Sequence, residues 1–69
     1  IRFDIPNSSN VKLAIYDVLG GEIAVLVNDK LAAGMYNIDW DASAFPSGIY
    51  FYKLSTEDFV QTKKMILIK

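Results

Sequence analysis

Short alternating segments, separated by turn-forming residues, are the feature that most constrains the fold of this chain. Residues 1–5 alternate apolar and charged side chains up to Pro6, and residues 11–15 repeat the alternation with Lys12 on the polar face. A period of two is that of a half-buried β-strand, and no segment sustains a helical period with capping residues. The sequence therefore predicts an all-β fold.

A hairpin is predicted next, because Gly20-Gly21 supplies the positive backbone dihedral angles of a tight turn. The following strand should cover residues 22–27 and end at residues 28–30. If Glu22 faces water, the side chains of this strand alternate between two faces. Ile23, Val25 and Val27 are then predicted to point inward, and Ala24 and Leu26 outward.

The second half of the chain predicts three further strands, over residues 35–41, 48–56 and 59–68. The first places Tyr36, Ile38 and Trp40 on one side. A loop with Phe45-Pro46 follows it, because the residue before proline is biased to an extended conformation. Glu57-Asp58 joins the last two strands. Six strands, spaced about 8 to 12 residues apart, are the signature of an antiparallel sandwich or barrel.

Length and composition exclude several classes of function. A chain of 69 residues allows a single small domain, residues 1–69, without a deep cleft. Seven basic against eight acidic residues give no long-range attraction for nucleic acid or anionic membranes. No apolar run is long enough to span a bilayer, and no charged segment precedes an apolar one in the pattern of a signal peptide. Because Ile1 already stands in strand phase, we expect this domain to be cut from a longer polypeptide at a domain junction.

Residues for catalysis are scarce. The chain has no histidine and no cysteine, so a serine or cysteine nucleophile has no usual base. Asp39 with Asp41, and Glu57 with Asp58, could in principle bind calcium or act in acid–base chemistry. The alternation places the first pair on the solvent face, and the second pair fits a turn. The sequence predicts a protein that is not an enzyme and that needs no metal or cofactor.

Four aromatic residues allow two interpretations: a platform that stacks sugars, or part of the core. Tyr36 and Trp40 share a face with Ile38, and Tyr50 and Tyr52 share a face with Leu54. This phase favours burial between two sheets.

The opposite face of the last two strands is apolar. Ile49, Phe51 and Leu26 are predicted to face outward, and residues 65–68 are apolar on both faces. Either the last strand is central in its sheet and buried on both sides, or it is a docking strand with a free edge. Lys63, Lys64 and Lys69 fit solubilising charges that protect such an edge.

Taken together, several segments closely resemble the type A C-terminal sorting domain of the type IX secretion system, over nearly the whole chain. One departure is Gly21, where the family usually has a basic residue. The matching segments are the opening strand with Pro6, Tyr16-Asp17-Val18-Leu19-Gly20 with Glu22, Leu31-Ala32-Ala33-Gly34 with Tyr36, Trp40-Asp41-Ala42, Ser47-Gly48 with Tyr50, and Lys64-Met65-Ile66-Leu67 with Lys69.

The resemblance implies an immunoglobulin-like β-sandwich of six to seven strands that acts as a sorting signal at the C-terminus of an exported cargo. An outer-membrane translocon would read it after the cargo reaches the periplasm, and the cargo would end at the cell surface or be secreted. A sortase-like peptidase would remove the domain and release the cargo or link it to lipopolysaccharide. The implied recognition residues are Gly48, Tyr50, Lys64 and Lys69; glycine suits unusual dihedral angles or a close backbone approach at the first of these.

Two other functions remain open from the sequence. One is an accessory immunoglobulin-like or fibronectin-like domain that acts as a spacer or in assembly, against which the short loop between Trp40 and Tyr50 argues. The other is a carbohydrate-binding module, which requires exposed aromatic side chains.

Overall fold

The computed structural model describes residues 1–68 and contains six strands in two antiparallel sheets, which confirms the predicted all-β sandwich. No described residue lies in a helix, so no helix in this part of the chain could cross a membrane. The strands are β1 (Arg2–Ile5), β2 (Ser9–Tyr16), β3 (Glu22–Leu31), β4 (Gly34–Asn37), β5 (Gly48–Ser55) and β6 (Val60–Leu67).

The larger sheet has the strand order β3-β2-β5-β6, and β1 and β4 form the smaller sheet. The alternation of β2 turns Val11, Leu13 and Ile15 to the interior, where each is at most 1% exposed. Leu54 of β5 and Phe3 of β1 complete this core across the two sheets. Full burial of each such side chain stabilises the fold by about 1.5–3 kcal/mol. Strand β2 contributes three of these buried side chains and β6 contributes none, so the core is centred on β2.

The smaller sheet is held by Phe3, which stacks on Tyr36 at a ring-centroid distance of 5.5 Å. Ile1 and Ile38 extend the pairing by two backbone hydrogen bonds of 2.7 and 2.8 Å. The strand predicted over residues 35–41 is wrong in length, because β4 ends at Asn37. Beyond the Ile1–Ile38 pair, no described strand lies opposite residues 39–41 to supply ladder hydrogen bonds.

Strand β3 departs most from its prediction. Its register against β2 shifts twice, and one shift leaves Leu26 as an extra residue between Val25 and Val27. A bulge of this kind re-aims the side chains beyond it. The inward prediction for Val25 and the outward one for Leu26 are therefore wrong: Val25 is 48% exposed, and Leu26 packs on the core.

Two further details of β3 correct the sequence prediction. Ala24, expected outside, lies opposite the buried Ile15 and is half-buried. The strand also continues to Leu31 instead of ending at residues 28–30, because Ser9 and Asn10 extend β2 far enough to pair with it.

The β2–β3 hairpin is organised by a carboxylate as well as by glycine. Asp17 Oδ1 accepts hydrogen bonds from the amides of Leu19 and Gly21, at 3.0 and 2.9 Å. Only Gly20 of the predicted glycine pair has a positive φ, of 85°. The expectation of a positive φ at Gly21 is wrong. Its amide donates a hydrogen bond to the Asp17 carboxylate, and its φ lies outside the left-handed region.

Candidate recognition surface

The face of the larger sheet turned away from β1 and β4 presents a mixed apolar and basic surface along β5 and β6. Because paired residues of an antiparallel ladder point to the same face, Ile49 lies beside Ile66, and Phe51 beside Lys64. We call these four residues the outer patch. Ile49 is 43% and Ile66 is 65% exposed, while Phe51 is half-buried. The outward prediction for Ile49 and Phe51 is confirmed.

Strand β6 itself lies at the edge of the sheet and pairs, within residues 1–68, with β5 alone. Val60 and Ile66 are strongly exposed, so β6 is not the central strand that an apolar run could have indicated. The two central strands of the sheet are β2 and β5. The edge position belonging to the alternative, a docking strand with a free edge, is confirmed, and docking itself stays a prediction.

Tyr50 holds the start of β5 against the preceding loop. It is 6% exposed, and its hydroxyl donates a 2.6 Å hydrogen bond to the carbonyl oxygen of Pro46. Its ring meets Trp40 edge-on at 5.4 Å and Phe45 at 6.4 Å. These contacts place Tyr50 on the interior side, where its direct role is to fix the loop that leads to Gly48.

Gly48 opens β5 and is exposed. It has no left-handed φ, and a Cβ built on it would meet no atom within 4 Å. The expectation that unusual dihedral angles or a close backbone approach require glycine here is therefore wrong. The backbone at this position is open to solvent and to any partner that approaches it.

Lys64 projects from the outer patch, whereas Lys63 points to the other face beside Tyr52. Lys53 of β5 lies on the same face as Lys64. Strands β5 and β6 together contain these three lysines and no carboxylate, although the whole chain has a net charge of −1. The surface therefore combines apolar side chains with local positive charge. Lys69, the fourth predicted recognition residue, lies outside the described residues.

A shallow depression of about 260 Å³ extends the outer patch toward the β2–β3 hairpin. Its lining includes the aromatic rings of Tyr16 and Phe51. Val18, Lys53, Thr62 and the acidic Asp17 also line it. Val18 and the neighbouring Leu19 are 62% and 91% exposed. Apolar side chains exposed together are typical of interaction surfaces.

Two of the carboxylates considered for chemistry, Asp41 and Glu57, accept local hydrogen bonds. Asp41 Oδ1 accepts a hydrogen bond from the amide of Ser43, and Glu57 Oε1 accepts one from the Asn10 side chain. In the turn at Glu57-Asp58, the Thr56 hydroxyl accepts hydrogen bonds from the amides of Asp58 and Phe59, which confirms turn chemistry there. Within residues 1–68, no three acidic, histidine or cysteine side chains come together as metal ligands.

One ion pair joins β2 and β3 on the outer face. Lys12 Nζ lies 3.0 Å from Glu22 Oε1. This hydrogen bond, together with the negative charge of Glu22, raises the pKa of Lys12 above its ordinary value of 10.5. Both side chains are exposed, so the pair adds little to stability.

The aromatic side chains do not form an open platform. Tyr50 is buried as predicted. Tyr36 and Tyr52 are half-buried and pack against the core, which confirms the core interpretation for them. Trp40 is half-buried and is not among the residues that pack against that core. Trp40 leaves the smaller sheet and packs against Phe45 at 5.5 Å instead.

Comparison with known proteins identifies the family. The family model described as "Secretion system C-terminal sorting domain" matches residues 1–69, the whole chain. The chain belongs to this family, the C-terminal sorting domains of type IX secretion. Neither the search of curated proteins nor that of solved structures found a match. Sorting domains of this family are targeting signals and not catalysts, and they imply export to the cell surface or secretion.

Some residues that shape the sorting domain's surface were missed from sequence. Ser9, taken for a turn residue, is 1% exposed; its hydroxyl accepts a 2.9 Å hydrogen bond from the amide of Glu57. This contact fixes the β5–β6 turn against β2. Ser9 lies among other polar, turn-forming residues, so no local signal in the sequence distinguishes it from an exposed turn residue. Phe45 was treated only as a residue before proline, although its size signalled packing.

Proposed function

We propose that residues 1–69 form a non-catalytic recognition signal that directs an exported cargo protein through the type IX outer-membrane translocon to the cell surface. The observation that carries this proposal is the family match over the entire chain. A match of this extent covers the strands, the turns and both sheets, and not an isolated motif.

The outer patch supports recognition through β5 and β6. It joins exposed Ile49 and Ile66 to Lys64 on one face, so a partner could bury apolar area and meet positive charge together. We propose Gly48, Lys64 and Lys69 as direct recognition residues. Tyr50 is buried, and we propose that it acts by holding the loop before Gly48.

The proposed partners are the translocon and a sortase-like peptidase, met after the cargo has crossed the periplasm. Removal of the domain would release the cargo or link it to lipopolysaccharide. The proposal involves no cofactor, nucleic acid or direct insertion of this domain into the membrane.

The test is to fuse residues 1–69, with the upstream linker, behind a signal peptide and a fluorescent reporter. The fusion is expressed in a bacterium with an intact type IX system and in its translocon-deficient twin. We expect reporter outside the intact cells and reporter trapped in the periplasm of the twin. Equal retention of a folded fusion in both strains would reject the sorting function and favour the accessory-domain alternative.

Residue roles are tested with variants that should fold. Gly48→Ala adds a methyl group where the structure has open space, so its melting temperature should stay near that of the wild type. Lys64→Ala removes an exposed charge, and Lys30→Ala on β3 is its matched control. Loss of export for Gly48→Ala and Lys64→Ala, with export retained for Lys30→Ala, supports recognition through β5 and β6. Equal export by all three would contradict these residue roles.

A further inference from the structure

The outer edge of β6 is long, regular and accessible. All eight residues of Val60–Leu67 pair with β5 in one unbroken register, without a bulge or a proline. Every second residue of such a strand turns its backbone N–H and C=O away from its neighbour. A straight edge of this kind is a template for another strand unless it is protected.

Charge makes a second copy of this chain a poor occupant of that edge. If two β6 strands paired antiparallel about their centres, Lys63 or Lys64 of one copy would lie opposite a lysine of the other. Like charges directly opposite each other destabilise a strand pair. The same lysines would instead attract carboxylates, and β5 and β6 contain no acidic residue that competes for them. Asp4 of β1 lines the same depression as Lys63, but the ion pair in the described residues joins Lys12 and Glu22 and not these two.

We propose that the outer edge of β6 binds an extended protein segment by β-strand addition, with carboxylates opposite Lys63 and Lys64 and an apolar side chain beside Ile66. The inference rests on the proposed sorting function, because it assigns this segment to a protein of the export machinery. Main-chain hydrogen bonds supply affinity in this binding mode, and side chains supply specificity.

The two faces of β6 define the pattern that the incoming strand must have. Lys63 points toward the interior side with Gln61 and Met65, and Lys64 points outward with Ile66. Adjacent residues of the added strand therefore meet the two lysines on opposite faces. The incoming strand needs two neighbouring acidic residues, one opposite Lys63 and one opposite Lys64. It also needs an apolar residue opposite Ile66, which is two positions from the acidic residue opposite Lys64.

The binding test uses synthetic eight-residue peptides with blocked termini. One has the acidic–apolar pattern, and a second has lysines in place of its acidic residues. We expect the acidic peptide to bind wild-type residues 1–69 and to bind Lys64→Glu about tenfold more weakly, because an attractive pair becomes repulsive. The lysine peptide should show the reverse preference. Lys30→Glu, the same change on β3, should bind like the wild type.

The mode of binding is read from hydrogen exchange of single amides. Strand addition should slow exchange at alternate residues of Val60–Leu67, namely those that exchange fast without peptide. Substitution of one fast-exchanging β6 residue by proline removes an outward donor and should abolish binding, whereas Lys30→Pro on β3 should not. Peptide binding with no alternating protection, or binding that survives the β6 proline in a folded domain, would overturn the proposal.

The export assay separates this inference from the sorting function. If the wild-type fusion is exported and the folded β6-proline variant is exported equally, strand addition is wrong while sorting stands. If the peptide binds with alternating protection but the wild-type fusion is retained, sorting is wrong while the edge site stands. Binding of lipopolysaccharide vesicles that depends on Lys64, without binding of the acidic peptide, would assign the surface to a lipid and overturn the proposal.

Discussion

The larger sheet ends in two edge strands of similar length, β3 and β6, that differ in how they are protected. Strand β3 has two register shifts against β2, and Leu26 is the extra residue at one of them. Strand β6 pairs with β5 without interruption, and Lys63 and Lys64 stand at its middle. Bulges twist an edge away from any strand that approaches, whereas lysines repel a positively charged partner and attract an acidic one.

The β3 edge is therefore closed by backbone geometry, and the β6 edge is selective by charge. A bulged edge disfavours every extended partner, because its backbone groups no longer form a regular row. A regular edge with central lysines disfavours its own copy and still accepts an acidic strand. This difference supports our proposal that recognition takes place at β6 and not at β3.

The largest change in stability is expected when a leucine of the central strand β2 is truncated, and a leucine of the edge strand β6 provides the comparison. Leu13→Ala removes a fully buried side chain of β2 and should lower the free energy of unfolding by about 2–5 kcal/mol. Leu67→Ala, at the end of β6 and half-buried, should lower it by about 1–2 kcal/mol. Urea denaturation of both variants measures the difference. Equal losses would contradict a core centred on β2 and make β6 part of the core.

The edge lysines should control self-association. Replacing Lys63 and Lys64 by threonine removes the charges opposite an incoming copy, so the dimer dissociation constant should fall by about tenfold or more. Sedimentation velocity over a concentration series measures it. The control replaces Lys12 and Lys30 by threonine, which makes the same change in net charge on β2 and β3. Self-association of the control alone would reverse the comparison of the two edges.

The two turns next to these edges provide a smaller test. Asp17→Ala removes the acceptor of two amide hydrogen bonds in the β2–β3 turn, and should cost about 1–2 kcal/mol of stability. Thr56→Val removes the hydroxyl that accepts two amide hydrogen bonds in the β5–β6 turn, and a loss of about 1 kcal/mol is expected. Thermal unfolding compares them. A neutral Asp17→Ala would show that Gly20 alone suffices for the β3 turn.

The smallest effect is expected at Lys12, whose pKa is raised by its hydrogen bond to Glu22 and by the charge of that residue. A group with a raised folded-state pKa stabilises the fold below its unfolded pKa, and this contribution is lost as the pH rises through the folded pKa. Lys12→Met should therefore unfold slightly more easily than the wild type at pH 7. The difference should vanish as the pH rises above the usual 10.5 for lysine. A difference that persists at higher pH would assign it to packing instead of charge.

Local patterns determined much of this structure because each was decided by neighbouring residues. The alternation of Val11 to Ile15 was enough to place β2 in the core, and the turn residues separated the six strands. The same alternation put Ile49 and Phe51 outside. The segments that resembled the sorting domains led to the family that the full-length match shows.

Other features depended on which strands lie side by side, which no local pattern specifies. The apolar residues 65–68 fitted a buried central strand equally well until the sheet order placed β6 at the edge. Leu26 turned inward because of a bulge against β2. Strand β4 ended at Asn37, the residue that pairs with Arg2 at the start of β1. A period of two fixes side chains relative to their own strand; only the tertiary structure sets the register and the neighbours, and hence which edge is open to a partner.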